Sequence, residues 1–244
     1  MKVSPKDRIY ANKLENVDNF VFDDKVADVF EDMIERSVPG YGELNKIIPI
    51  IANKFLKSNT NCYDLGCSLA ESSLSIAKNL THNEVIIFAI DNSHAMIRKA
   101  DNKIASLNIS NIVKSKFADV FDVEINNATF VILNYTLQFI DPNRREDLLA
   151  KIYSGMNKGG ALFISEKITH KNNFEETIMR DLHEDYKRAN AYSDIEISQK
   201  REALENVLIR DPSNVHINRL KNAGFSNVLI LFKYLNFVSY LAVK

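Results

Sequence analysis

The stretch Asn61–Ala70, NCYDLGCSLA, reads as a buried strand ending at Asp64, a tight turn at Gly66 and the entry to a helix. In an open α/β sheet, small molecules bind beyond the carboxyl ends of the strands. A glycine in the first strand-to-helix turn lets the backbone approach the ligand there, and the helix start offers free N–H groups. Gly66 is therefore the first candidate site residue, with Cys67 and Ser68 beside it. The pattern G-x-G-x-x-G is incomplete, because Ser68 stands where its second glycine would fall. Taken alone, the stretch also fits an ordinary strand and turn, so the flanking sequence has to decide.

Downstream, Leu74, Ala77 and Leu80 space as a helix, and Val85 to Ile90 is an unbroken apolar run of the kind buried on both faces of a sheet. Asp91 closes that run 25 positions after Gly66, where a carboxylate can take both hydroxyls of a ribose. The other role open to Asp91 is helix capping. Ser93 can fill that role instead, since Met96, Ile97, Ala100 and Ile104 form the next helical stripe. Strand three, Ile112 to Phe117, runs out at Ala118-Asp119, and strand four, Thr129 to Leu133, at Asn134. Four strands thus end on polar residues, Asp64, Asp91, Asp119 and Asn134, which together describe a crevice with a polar rim. A helix with Leu148, Leu149, Ile152, Tyr153 and Met156 follows, stopped by Asn157-Lys-Gly-Gly160, and then strand five, Ala161 to Ser165, closed by Glu166.

Upstream, Asp23 or Asp24 can cap a helix with Val26, Val29, Phe30, Met33 and Ile34 on one face. Ser37-Val-Pro-Gly-Tyr41 breaks it. A second pattern through Leu44, Ile47, Ile48, Ile51 and Phe55 contains Pro49, which should kink that helix or mark its start. Tyr41, in the connecting loop, can lie over the crevice or simply pack. Residues 1–21 are charged and without sustained period, and read as an arm that can be partly disordered, so the domain proper is expected over 22–244. An insertion at about 171–210 carries seven Lys/Arg and nine Asp/Glu and reads as two helices. Phe174, Ile178, Met179, Leu182 and Tyr186 line one face of the first, and Ser193-Asp-Ile-Glu196 is a capping box opening the second. After Asp211-Pro212 and a short helix ending at Gly224, the strands Val228 to Tyr234 and Phe237 to Val243 suggest an antiparallel hairpin.

The 244 residues suit one α/β domain with an elaboration. Two cysteines, Cys62 and Cys67, match no zinc spacing and read as core thiols of a reducing compartment. With 31 basic and 32 acidic residues the formal charge is −1, giving no general attraction to nucleic acid or anionic membrane. No run of 18 apolar residues is present and the polar start lacks a signal-peptide core, so a cytoplasmic location is expected. The five histidines show no metal-ligand spacing, and no metal is expected. Neither a nucleophile elbow G-x-S-x-G nor a phosphate-binding loop G-x-x-x-x-G-K-[ST] occurs.

Taken together, VFDDKVADVFEDMIERSVPGY, YDLGCS, IDNSHAMI, LNYTLQFIDP, KGGALFISEK and YSDIEISQKREALENV resemble the carboxy-S-adenosyl-L-methionine synthase family, from about Phe22 nearly to the C-terminus. SVPGY and EISQKR carry the specific part, since they lie outside generic methyltransferase motifs. The resemblance implies a Rossmann-like class I methyltransferase fold, with a seven-stranded, mostly parallel sheet, an antiparallel C-terminal hairpin and an inserted helical pair. It also implies an enzyme that turns S-adenosyl-L-methionine and prephenate into carboxy-S-adenosyl-L-methionine and phenylpyruvate. The product would pass to a tRNA carboxymethyltransferase for wobble uridine modification, with no direct nucleic-acid or membrane contact by this chain. After strand four, Asn134-Tyr-Thr-Leu lacks the two prolines usual in enzymes that methylate nucleobase amines.

Ligand contacts implied by the resemblance fall on Tyr41, Gly66, Cys67, Ser68, Asp91, Asn92, Asp119, Val120, Asn134 and Arg201. Asp91 would hold the ribose diol, Asp119 with the Val120 backbone the adenine edge, and Gly66 with Asn134 the methionine end. Arg201 would be the catalytic residue, its guanidinium fork matching the carboxylate that the product gains. Chemically, a methyl proton must leave to give a sulfonium ylide that attacks carbon dioxide. The resemblance implies that prephenate supplies both carbon dioxide and a hydroxide base as its ring aromatises, so that no side-chain general base would be required. The resemblance also implies a homodimer, with the inserted helices as interface elements. Two other readings remain open from the residues themselves: a conventional S-adenosylmethionine-dependent methyltransferase, and a protein that only binds the nucleoside ligand.

Overall fold

The computed structural model describes residues 5–244. Seven strands make one sheet, β1 (Asn61–Leu65), β2 (Ile86–Asp91), β3 (Val113–Phe117), β4 (Ala128–Asn134), β5 (Met156–Lys167), β6 (Asn227–Tyr234) and β7 (Phe237–Val243), in the order β3-β2-β1-β4-β5-β7-β6. The first five run parallel, while β7 is antiparallel to both β5 and β6, so the expected C-terminal hairpin is present with β7 inserted beside β5. The order reverses between β1 and β4, and a crevice opens at that switch point in a parallel sheet.

Side chains alternate across the strands, and the central ones, β1, β4, β5 and β7, are covered on both faces, whereas the edge strands β3 and β6 are largely exposed. Cys62, Phe130, Ile132 and Phe163 pack on one side, with α2 (Tyr41–Phe55), α3 (Glu71–Lys78) and α4 (His94–Ser106). Tyr63, Leu65, Val131, Leu133, Leu162 and Ile164 pack on the other, with α5 (Arg145–Gly155) and α8 (Ser213–Asn222). Burial on both faces is the reason the central strands read as apolar runs.

The expected caps form. Asp23 accepts from Val26 N–H at the start of α1 (Asp24–Ser37), and Ser93 accepts from Met96 N–H at the start of α4. α2 starts at Tyr41 and runs through Pro49. The missing Pro49 N–H would orphan the Asn45 carbonyl, and Ser75 Oγ of α3 donates to that oxygen at 2.9 Å. Tyr41 is thereby the first residue of a helix rather than part of a loop. Asp24, Asp28 and Glu31 on α1 pair with Arg98, Lys99 and Lys103 on α4, holding α1 across the sheet edge.

One region differs from the sequence expectations. The arm, described from residue 5 onward, has no helix or strand before α1, yet Asp7, Tyr10 and Phe20 are buried. Gln199 of α7 (Asp194–Leu204) accepts from Leu14 N–H and donates to the Tyr10 and Asn12 carbonyls, and Phe20 N–H donates to Ala203 O. Asp7 takes the Tyr192 hydroxyl at 2.5 Å. The segment is stitched down by polar partners rather than by an amphipathic period, so no periodicity could reveal it. In α6 (Asn173–Ala189) the residues Phe174, Ile178 and Leu182 of the expected apolar face are exposed, and the buried residues are His183 and Lys187. The capping box of α7 is formed as expected.

Candidate active site

One cavity opens at the carboxyl ends of β1, β2 and β4 and extends to the ends of β5 and β7, roofed by α1, α6 and α7. Gly66 sits at its floor. Gly66 and Cys67 both donate their N–H to the Ile90 carbonyl, at 2.8 and 2.9 Å, which clamps the turn to β2. The φ of Gly66 is +76°, and a Cβ there would lie 2.4 Å from Thr136 Cγ2 and Oγ1. Only glycine meets both conditions.

Two buried carboxylates stand at the neighbouring strand ends. Asp91 accepts the N–H of Ser68 and of Ser93, both at 2.8 Å, one on each oxygen. Burial raises its pKa, the N–H groups work against that rise, and each oxygen keeps a lone pair to spare. Asp64 accepts Ser73 Oγ at 2.6 Å and Ser73 N–H at 3.2 Å, and burial pushes it up to about 6. At the end of β4, Asn134 Nδ2 reaches Ser72 Oγ only at 3.5 Å, while Asn134 Oδ1 and the adjacent Tyr135 hydroxyl are buried with no partner among the described residues. Buried polar atoms left unpaired beside a cavity call for donors and acceptors from a ligand. Glu166, at the end of β5, accepts the N–H groups of Leu137 and Gln138, both at 2.9 Å, and so fixes the turn that follows Asn134; burial raises it to about 8.

The far half of the cavity is cationic. Lys167, Lys187 and Lys200 line it with His183. His183 Nε2 lies 2.8 Å from the Ser37 carbonyl, so it carries the proton, and Nδ1 accepts from Lys167 Nζ at 3.3 Å. Burial is the leading cause that lowers Lys167 to about 7 and Lys187 and Lys200 to about 8, and it keeps His183 neutral. Aromatic side chains, Phe22, Phe30, Tyr41, Phe139 and Phe237, wall the space between the two halves.

Of the residues singled out in the sequence, Tyr41, Gly66, Cys67, Ser68, Asp91, Asn92, Val120 and Asn134 all line this cavity. Two depart from expectation. Asp119 is exposed and its Oδ1 accepts Phe121 N–H at 2.8 Å in a local turn, so at this corner only Val120 contributes to the wall. Arg201 lies outside the cavity: its guanidinium, more than half exposed, pairs with Glu184 at 2.7 Å in an adjoining cleft that shares Lys167, His183 and Lys187. Sequence reasoning missed the lysines, because a charged helix such as α6 normally solvates a face. The available signal was the i, i+4 pair His183 and Lys187 opposite the apolar stripe.

The chain is similar over nearly its full length to curated proteins. A protein named carboxy-S-adenosyl-L-methionine synthase from Shewanella halifaxensis is 44% identical over 241 residues, covering 99% of both chains. One of the same name from Klebsiella pneumoniae subsp. pneumoniae is 42% identical over 242 residues, covering 99% of this chain and 98% of the relative. A family described as a methyltransferase domain matches residues 63–160. Among solved structures, a putative O-methyltransferase from Nostoc punctiforme superposes with a TM-score of 0.65 at 15% identity, over 91% of this chain and 59% of that one. That likeness concerns the fold, which is the class I methyltransferase fold.

Proposed function

The chain belongs to the carboxy-S-adenosyl-L-methionine synthase family, and from that premise we propose that it converts S-adenosyl-L-methionine and prephenate to carboxy-S-adenosyl-L-methionine and phenylpyruvate. In this reading the product is the carboxymethyl donor that a separate tRNA enzyme uses at the wobble uridine, and the work is done in the cytoplasm. The observation that carries the reading is a single cavity with two unlike halves, strand ends rich in acceptors on one side and a cationic wall on the other. A transferase joining a nucleoside sulfonium to a reaction of an anionic acid needs both.

Residues divide accordingly. Asp91, with lone pairs left beyond its two backbone bonds, takes the ribose hydroxyls, Val120 borders the adenine, and Asn134 Oδ1 receives the ammonium of the methionine end close to Gly66. When bound, the substrates themselves supply the acidic methyl group, the carbon dioxide and the base, so the chain positions them and keeps water out with its aromatic walls. Incubating the protein with both substrates and reading adenosyl species by mass spectrometry tests this: the expected product is heavier than S-adenosylmethionine by one carbon dioxide, and methyl transfer or no turnover overturns the reading.

Arg201 enters as a group for the partner copy of a homodimer. Its exposure and its place outside the home cavity suit a residue that reaches across an interface, and the exposed Phe174, Ile178 and Leu182 stripe of α6 supplies the apolar contact. Sedimentation should report about twice 27.8 kDa, and a monomer at all concentrations removes this role for Arg201.

A further inference from the structure

Lysine is almost never buried without a partner, yet two buried lysines and a half-buried third meet here with one acid in direct contact. Lys187 and Lys200 are 9% and 6% exposed. Lys200 Nζ lies 3.5 Å from Asp7 Oδ2 and 3.0 Å from Ser37 Oγ. Lys167 Nζ has neutral His183 Nδ1, and Lys187 Nζ has no hydrogen-bond or ion-pair partner among the described residues. The other acids nearby form their ion pairs elsewhere, Glu184 with Arg201 and Glu176 with Arg210, each at 2.7 Å, and act on the lysines only from a distance. Lys187 is close enough to disfavour the charged form of both other lysines. Such a cluster is costly in the empty protein, and an anionic group from a ligand removes the cost.

We propose that Lys167, Lys187 and Lys200, oriented by His183 and Ser37, seat the 2-oxo-acid carboxylate of the second substrate, the carboxylate that survives the reaction. The inference rests on the function proposed above and assigns a place to that substrate. Prephenate carries two carboxylates with opposite needs. In the ring carboxylate, the C–C bond breaks, its electron pair aromatises the ring, hydroxide leaves from the far carbon, and carbon dioxide departs neutral. Hydroxide then takes the methyl proton and becomes water, and the electron pair left on the ylide carbon forms the new C–C bond to the carbon dioxide, which balances the sequence. A cation holding that group would stabilise the reactant more than the transition state and slow the step. The 2-oxo-acid carboxylate stays charged throughout, so binding it to lysines costs nothing in rate. Seated there, it leaves the ring among Phe22, Phe139 and Phe237, a water-poor stretch leading to the strand ends where the sulfonium lies.

The test uses the full chain with Lys187→Met and Lys187→Arg. Because Lys187 makes no hydrogen bond or ion pair among the described residues, Lys187→Met breaks none and its melting temperature should stay near wild type, which separates folding from binding. The expected result is a KM for prephenate and an inhibition constant for phenylpyruvate, which keeps the same carboxylate, both raised about tenfold or more. Affinity for S-adenosylmethionine should stay within about twofold, the arginine variant recovering most of the loss. Unchanged KM and inhibition constant overturn the proposal while the proposed function stands. So does a loss confined to S-adenosylmethionine, which would make the cluster the seat of the methionine carboxylate. If wild type does not turn over, the proposed function fails by itself. Calorimetric titration of wild type and Lys187→Met with phenylpyruvate then still decides: equal binding, or none to either, overturns the seat.

Discussion

The two halves of the cavity are built by different means. The strand-end half is a backbone construction, in which Gly66, Asp91 and Asn134 occupy the ends of three adjacent strands and the sheet alone sets their spacing. The lysine half is a side-chain construction from β5, α6, α7 and, through Asp7, a segment 193 residues distant from Lys200. A backbone site tolerates little change at its glycine and is read from local pattern. A side-chain site depends on remote supports and is invisible until the chain is folded.

The largest expected effect falls on the backbone half. Gly66→Ala combines a left-handed φ with a Cβ 2.4 Å from Thr136, and should cost about 4 kcal/mol in stability and abolish measurable S-adenosylmethionine binding. Adding Thr136→Ala should recover part of it by removing the clash but not the strain. Chemical denaturation and calorimetry check both, and a neutral single variant would dissolve the distinction between the halves.

Next comes the remote support. Asp7→Ala leaves Lys200 without its acid and the Tyr192 hydroxyl without its acceptor, a loss of about 3 kcal/mol in denaturant unfolding. In the folded variant S-adenosylmethionine should bind as before while prephenate kinetics suffer. Equal damage to both ligands would show that the halves are not separable.

Asp91→Ala should weaken S-adenosylmethionine binding by about 2 kcal/mol, the scale of hydrogen bonds to a charged acceptor, and leave phenylpyruvate inhibition near wild type. Calorimetry showing normal affinity in a folded protein would take Asp91 out of the site.

The smallest effect is one of pH. Lys167 at about 7 is faced by His183, Lys187, Arg210, Glu176 and Glu184, Lys187 at about 8 by Glu184 and Arg201, and Lys200 at about 8 by Asp7, Lys187 and Arg36. All three lie below the ordinary 10.5, so the free site sheds protons as pH rises from 7 to 9, and an anion prefers the protonated site. The KM for prephenate should therefore rise several-fold over that window while S-adenosylmethionine affinity stays flat. For stability the sign is opposite: unfolded lysines hold their protons until about 10.5, so these groups make the empty protein more stable as pH rises from 8 toward 10. A prephenate KM that is flat with pH counts against a cluster that gains charge on binding.

What the sequence determined by itself is the set of features that depend on near neighbours. The apolar runs, the caps at Asp23, Ser93 and Ser193, the turn at Gly66 and the polar ends at Asp91 and Asn134 follow from periods and local hydrogen bonds, and they suffice to fix the sheet and one half of the site. Tertiary structure decided the rest. It turned α6 so that His183 and Lys187 face inward and Phe174, Ile178 and Leu182 outward, it anchored residues 7–20 on α7, and it left Asp119 and Arg201 outside the cavity wall. The physical reason is that burying a lysine is unfavourable on every local scale, and only groups brought together from distant parts of the chain, or a bound anion, can reverse that balance.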